Sequence, residues 1–261
     1  MTSLAIIEIL LVASISAYLL SSVLYGIKRK KYGIILFAAG WLGSASIFMI
    51  NWIAAAAPPF GNMYQVQVFL SVCFLPLYLL LSHRDNLGWT GAYFAAVSGL
   101  SLTGAFFISL DITWKRIPAL QSPWFVPHVT SYMISYALAS VAFVMYLVGK
   151  IREKTGKVCD NRYDQAIYGI LGLAFPFMTF GMLSGALWAE EAWGAYWSWD
   201  RKETWSLITW TLYLIYFHCL AKKELRNYAG LIQVIAFLAL ITTFFLVNLW
   251  PKLSSVLHSY S

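Results

Sequence analysis

The sequence predicts an all-α fold: a polytopic membrane helix bundle of about eight transmembrane helices, with both termini on the extracytoplasmic side. Three observations carry this expectation. Of the 261 residues, 60% are hydrophobic and only 11% charged, with a mean hydropathy of +0.69, a balance that excludes a water-soluble domain. The apolar residues gather into eight stretches of about twenty, the length that crosses the hydrocarbon. Finally, the eighteen Lys and Arg residues divide unequally between alternate loops.

The first stretch, 4–25, has no basic residue ahead of it and carries Glu8. It lacks the charged start of a signal peptide and is expected to be retained. The second, 34–56, follows the basic cluster Lys28, Arg29, Lys30 and Lys31, and the third, 66–82, runs into His83 and Arg84. The fourth, 89–110, leads to Lys115 and Arg116; the fifth, 130–149, is opened by His128 and followed by Lys150, Arg152, Lys154, Lys157 and Arg162. The sixth, 166–187, enters a tryptophan-rich segment, and the seventh, 205–221, leaves it and ends at Lys222, Lys223 and Arg226. The eighth, 228–248, precedes Lys252 and His258. Thirteen basic residues thus follow odd-numbered helices, whereas Lys115, Arg116, Arg201, Lys202 and Lys252 lie on the other side. The positive-inside bias therefore puts the termini and the tryptophan-rich segment outside. In this setting the net charge of +7 speaks of topology, not of nucleic acid. Cys73, Cys159 and Cys219 form no CxxC pair, which excludes a disulfide framework, a zinc knuckle and a thiol relay. No internal repeat or low-complexity tract is evident.

Residues 188–210, WAEEAWGAYWSWDRKETWSLITW, hold six of the twelve tryptophans beside six charged residues. Aromatic belts spread tryptophans over many helix ends; concentrated here in one loop, 188–210, the indoles suit a membrane-edge shelf for a large planar ligand. On the same face stand His128, after PALQSPWFVP, and His258, within LHSY. Each alone reads as a surface polar residue; together they can approach the two faces of a porphyrin between them. His218 lies about 20 Å along the seventh helix from Trp205 at 1.5 Å per residue, in the inner half of the membrane. At that depth it is either a functional residue or a neutral histidine hydrogen-bonded between helices. His83, next to Arg84 and Asp85, is either a solvated helix end or part of a second, inner site. Asp200 and Glu203 suit capping of helix seven, Arg201 or Lys202 suits a propionate partner, and Gly194 suits a tight turn.

WGAYWSWDRKETWSLITW resembles the tryptophan-rich "WWD" signature of heme-handling proteins in cytochrome c maturation, most closely the CcsA (ResC) family. PALQSPWFVPHV, the NMY at Asn62 to Tyr64, the YFH ending at His218 and the closing LHSY resemble that family in the same order. The likeness runs from about residue 58 onward, dividing the chain into two N-terminal helices (1–57) and a heme-handling core (58–261). Arg201 departs from the proline that many relatives have after the aspartate. The resemblance implies that heme b is bound, at one or two sites. It makes His128 and His258 the outer axial ligands and His218 a transmembrane ligand, with His83 as a weaker candidate. Trp193, Trp197, Trp199, Trp205 and Asp200 would contact the heme, with Arg201, Asn62 and Tyr64 lining or bracing the site. It further implies attachment of heme to the CxxCH cysteines of apocytochrome c together with a CcsB (ResB) partner, the chain being the core subunit of a cytochrome c synthase. The membrane would be a bacterial inner membrane or a thylakoid. Two other readings stand beside it: a heme exporter or carrier of the CcmC kind that loads a separate chaperone, and a polytopic transporter of an unrelated ligand.

Overall fold

The structure, a computed structural model, describes residues 3–108, 118–156 and 161–246. Within the described residues, each of the eight apolar stretches contains a helix: α1 (Ser3–Gly26), α2 (Lys30–Ala55), α3 (Met63–Arg84), α4 (Gly91–Phe106), α5 (Phe125–Lys154), α6 (Arg162–Trp193), α7 (Arg201–Ala221) and α8 (Ala229–Ile241), the last continued by a π-helical turn at Thr242–Leu246. Among the described residues, six helical segments are long and apolar enough to cross a membrane. α4 has only 16 residues, and the tryptophans, threonines and His218 of α7 dilute its hydropathy.

The chain divides into two compact units, Met1–Ile117 and Pro118–Ser261. This division follows packing, whereas the boundary near residue 58 follows sequence resemblance. In the first unit α1 packs on α2 and α4, and α3 on α4 and α2. Polar contacts that an apolar surrounding makes costly to lose fasten these helices. The Tyr18 hydroxyl lies 3.0 Å from Ser44 Oγ, and the Tyr25 hydroxyl donates to Tyr78 at 3.1 Å, which donates to the Gly88 carbonyl at 3.1 Å.

In the second unit α5 and α6 form a long antiparallel pair, α8 packs on α5 and α7, and α7 touches α6. Phe143 and Phe237 stack 4.0 Å apart between α5 and α8, and Thr209 of α7 and Thr243 of the π-helical turn after α8 meet at 3.2 Å. Trp210 donates to Thr179 Oγ1 at 2.9 Å between α7 and α6. The start of α5, the end of α6 and the start of α7 share one end of this unit. At the opposite helix ends stand Lys150, Arg152 and Lys154, Arg162, and Lys222, Lys223 and Arg226.

The tryptophan-rich segment differs from its expected form. Residues 188–193 are the last turns of α6 and 201–210 the first turns of α7, so only 194–200 is loop. Tryptophan and glutamate interrupt an apolar run, but they do not interrupt a helix.

Candidate functional site

His128 lies in the first turn of α5, beside the last turns of α6. Close approach is possible because Gly185 lacks a side chain: a Cβ there would lie 2.5 Å from His128 Nδ1 and 2.7 Å from its Cε1. One turn earlier, the Gly181 carbonyl lies 2.8 Å from His128 Nδ1. A carbonyl can only accept, so Nδ1 carries a proton; in a neutral ring the lone pair is then on Nε2. The ring is walled by Tyr132, edge-on at 5.1 Å, and by Trp188 at 5.4 Å.

Trp188 is 2% exposed, which makes it a wall of the site and not part of an open shelf. Its indole also meets Phe125 at 5.2 Å and Trp193 at 4.9 Å, and its Nε1 donates to the Ala119 carbonyl at 2.6 Å. Ala119 belongs to the 3-10 turn Pro118–Gln121, whose Leu120 is fully buried. The Ser122 hydroxyl donates to Glu191 of α6. The segment that leads into His128 is therefore tied to the end of α6.

Gly194, at φ 75°, closes α6 by donating to the Glu190 carbonyl at 2.8 Å, the tight turn expected of it. At the far side of the loop Asp200 caps α7. Its Oδ1 accepts from Lys202 N at 2.8 Å, and Glu203 Oε2 reaches back to Asp200 N at 3.1 Å and Ser198 N at 2.8 Å, completing a capping box. Asp200 therefore has an architectural task. Between these caps stand Trp197 and Trp199, edge-to-face at 6.0 Å. Trp199 is 70% exposed and has φ 58°, a left-handed backbone that costs a bulky residue on the order of 1–3 kcal/mol. Trp205 is half-buried in the first turns of α7, and Arg201 is exposed. Lys202 is half-buried, and desolvation pulls its ammonium down to about 8, with Asp200 opposing the shift.

The other expected residues fall elsewhere. His218 occupies the last turn of α7, at the opposite end of that helix from the tryptophans, and is exposed within the second unit. Its Nδ1 lies 2.8 Å from the Leu214 carbonyl, so Nδ1 is the donor there too. His83 is exposed in the last turn of α3, before the 2.8 Å ion pair of Arg84 with Asp85. Asn62 caps α3, accepting from Gln65 N at 2.9 Å. Tyr64 is fully buried and its hydroxyl accepts from Asn51 at 3.3 Å. His258 lies outside the described residues.

Residues 60–254 match the model of a family described as cytochrome C assembly protein. The chain belongs to this family. Among its relatives, the cytochrome c biogenesis protein CcsA of Chlamydomonas reinhardtii is 36% identical over 228 residues, 82% of this chain and 64% of the relative. That of Mesostigma viride is 32% identical over 291 residues, 95% of this chain and 94% of the relative, and that of Solanum bulbocastanum 28% over 299 residues, 99% and 93%. It is thus an all-helical membrane protein of the CcsA family of cytochrome c biogenesis.

In this cytochrome c assembly protein the structure brings His128 together with Trp193 through Trp188, and sets Trp197, Trp199 and Trp205 in the adjoining loop and helix start. Sequence reasoning missed Gly181, Gly185 and Tyr132 and placed Trp188 in a loop. The signal was present in part: Gly181, Gly185 and Trp188 are spaced i, i+4, i+7 and share a helix face, and small residues at that spacing mark close helix approach.

Proposed function

We propose that this cytochrome c assembly protein binds heme b as a substrate and presents it on the extracytoplasmic face for thioether attachment to the CxxCH segment of apocytochrome c. One observation carries the reading: His128 is held by a backbone carbonyl at Nδ1, which makes Nε2 the nitrogen fit to ligate a metal, at the end of the unit that bears the tryptophan-rich loop. Metal-binding histidines have this arrangement, with the second ring nitrogen donating to a carbonyl or carboxylate. The donor set fits an iron whose other ligands come from a macrocycle.

His128 and His258 bind the two faces of the iron, while Trp193, Trp197, Trp199 and Trp205 grip the ring, and Arg201 faces a propionate. Asp200 acts by fixing the start of α7, and Asn62 and Tyr64 brace the outer end of α3. His218 serves a second heme site toward the inner side of the second unit, and His83 is the weaker candidate ligand in the first. Heme supplies the vinyl groups. Each substrate thiol adds its sulfur to one vinyl carbon and its hydrogen to the neighbouring one, so no electrons are gained or lost. The chain therefore needs no nucleophile of its own; it contributes position. A CcsB (ResB) partner completes the synthase, in a bacterial inner membrane or a thylakoid.

The test is spectroscopic and functional. Protein purified from heme-replete membranes shows a heme absorption spectrum, and the double variant His128→Ala/His258→Ala loses or alters it and stops cytochrome c formation when co-expressed with the partner and a CxxCH reporter. A double variant with wild-type spectrum and activity would refute the ligand assignment. Heme bound by the unaltered protein without any covalent product would favour the carrier reading.

A further inference from the structure

We infer that Gly181 and Gly185 of α6 form a slot that selects the ligating nitrogen of His128, making these two glycines positioning residues for the outer heme. The inference rests on the reading of His128 as an iron ligand and assigns the residues that set its tautomer and ring plane.

Imidazole has two nitrogens, and a free ring can offer either to a metal. Here the choice is made by α6. The Gly181 carbonyl faces Nδ1 at 2.8 Å and accepts a hydrogen bond from its N–H. One helical turn on, Gly185 lets Nδ1 and Cε1 come within 2.5 and 2.7 Å of where its Cβ would be, distances that no real Cβ tolerates. Any side chain at 185 must push the ring away from the 181 carbonyl. Trp188, on the same helix face, and Tyr132, one turn along α5, stand at 5.4 and 5.1 Å from the ring and restrict its tilt. A backbone carbonyl one turn from a position that must be glycine thus fixes the tautomer and orientation of the ring, as a carboxylate does at many metal sites.

Gly185→Ala is the direct test, with Gly172→Ala as its control, because a Cβ at Gly172 meets nothing within 4 Å on the same helix. With His128 displaced, Gly185→Ala shifts the bound heme from a six-coordinate to a high-spin spectrum and lowers cytochrome c yield roughly tenfold or more, the scale of losing an outer-shell partner. Added imidazole restores the six-coordinate spectrum, and Gly172→Ala behaves as the unaltered protein. If Gly185→Ala fails to accumulate, the pair Gly185→Ala/His128→Ala decides: accumulation and imidazole-dependent heme binding equal to His128→Ala alone show that the clash is with the imidazole. Equal failure of the single and double variants overturns the slot, as does a Gly185→Ala spectrum and yield matching Gly172→Ala. A normal spectrum in His128→Ala would instead refute the ligation on which the slot depends.

Discussion

At the scale of single residues, Lys202 carries a pH dependence that can be measured apart from any ligand. Its ammonium has a folded value of about 8 because desolvation opposes the charge, whereas in the unfolded chain it is ordinary. Below pH 8 both states are protonated and the cost of burying the charge is present in full. Between 8 and the ordinary lysine value the folded protein has lost the proton and the unfolded chain still holds it. Stability contributed by this group therefore rises with pH through that window. Thermal unfolding in detergent over pH 7–10 should show the rise in the unaltered protein and a flatter profile in Lys202→Met. Identical slopes would remove Lys202 as the cause.

At the scale of elements, the capping box separates architecture from ligand contact in the tryptophan-rich region. Asp200→Ala removes an acceptor from the first turn of α7 and should cost about 0.5–2 kcal/mol, while Asp200→Asn retains most of it. Melting temperature with and without heme distinguishes the roles: heme loss at unchanged stability in Asp200→Ala would mean that the carboxylate touches the ligand directly. The helices themselves were legible because a membrane-crossing helix must announce itself with about twenty apolar residues, and even α4 and α7, which fall short of that standard, were found. The end of α6 was not, because Trp188, Glu190, Glu191 and Trp193 break the apolar run although the helix continues beneath them. Nor was the partner of His128 legible. A main-chain carbonyl has no letter in a sequence, and only the absent side chain at Gly185 hints at the contact.

For the whole molecule, the alternation of basic helix ends makes orientation the property to test. Within the first unit Lys28 to Lys31, Arg84 and the start of α4 share one end, and within the second unit Lys150, Arg162 and Lys222 to Arg226 do so, opposite the tryptophan-rich loop. In a background with Cys159→Ser, Ser198→Cys should react with a membrane-impermeant thiol reagent in intact cells or right-side-out vesicles, and Glu224→Cys only after permeabilisation; Cys73 and Cys219 are buried. The reverse pattern would invert the topology and put the tryptophans on the wrong face for an extracytoplasmic cytochrome. Family membership was readable because motif residues lie in order along the chain. How those residues are held was not, since it depends on pairs such as His128 with Gly181 that fifty-three positions separate.

The hydrogen bond from His128 to an amide carbonyl also sets the charge that a bound iron would feel. A carboxylate in that position could draw the Nδ1 proton toward itself and give the ring imidazolate character, adding electron density that stabilises ferric iron. An amide oxygen is too weak a base to do so. In the proposed site, a His128 backed only by that carbonyl would stay a neutral donor to heme iron, which would leave the reduced metal comparatively favoured and its potential higher than a carboxylate-backed histidine would give.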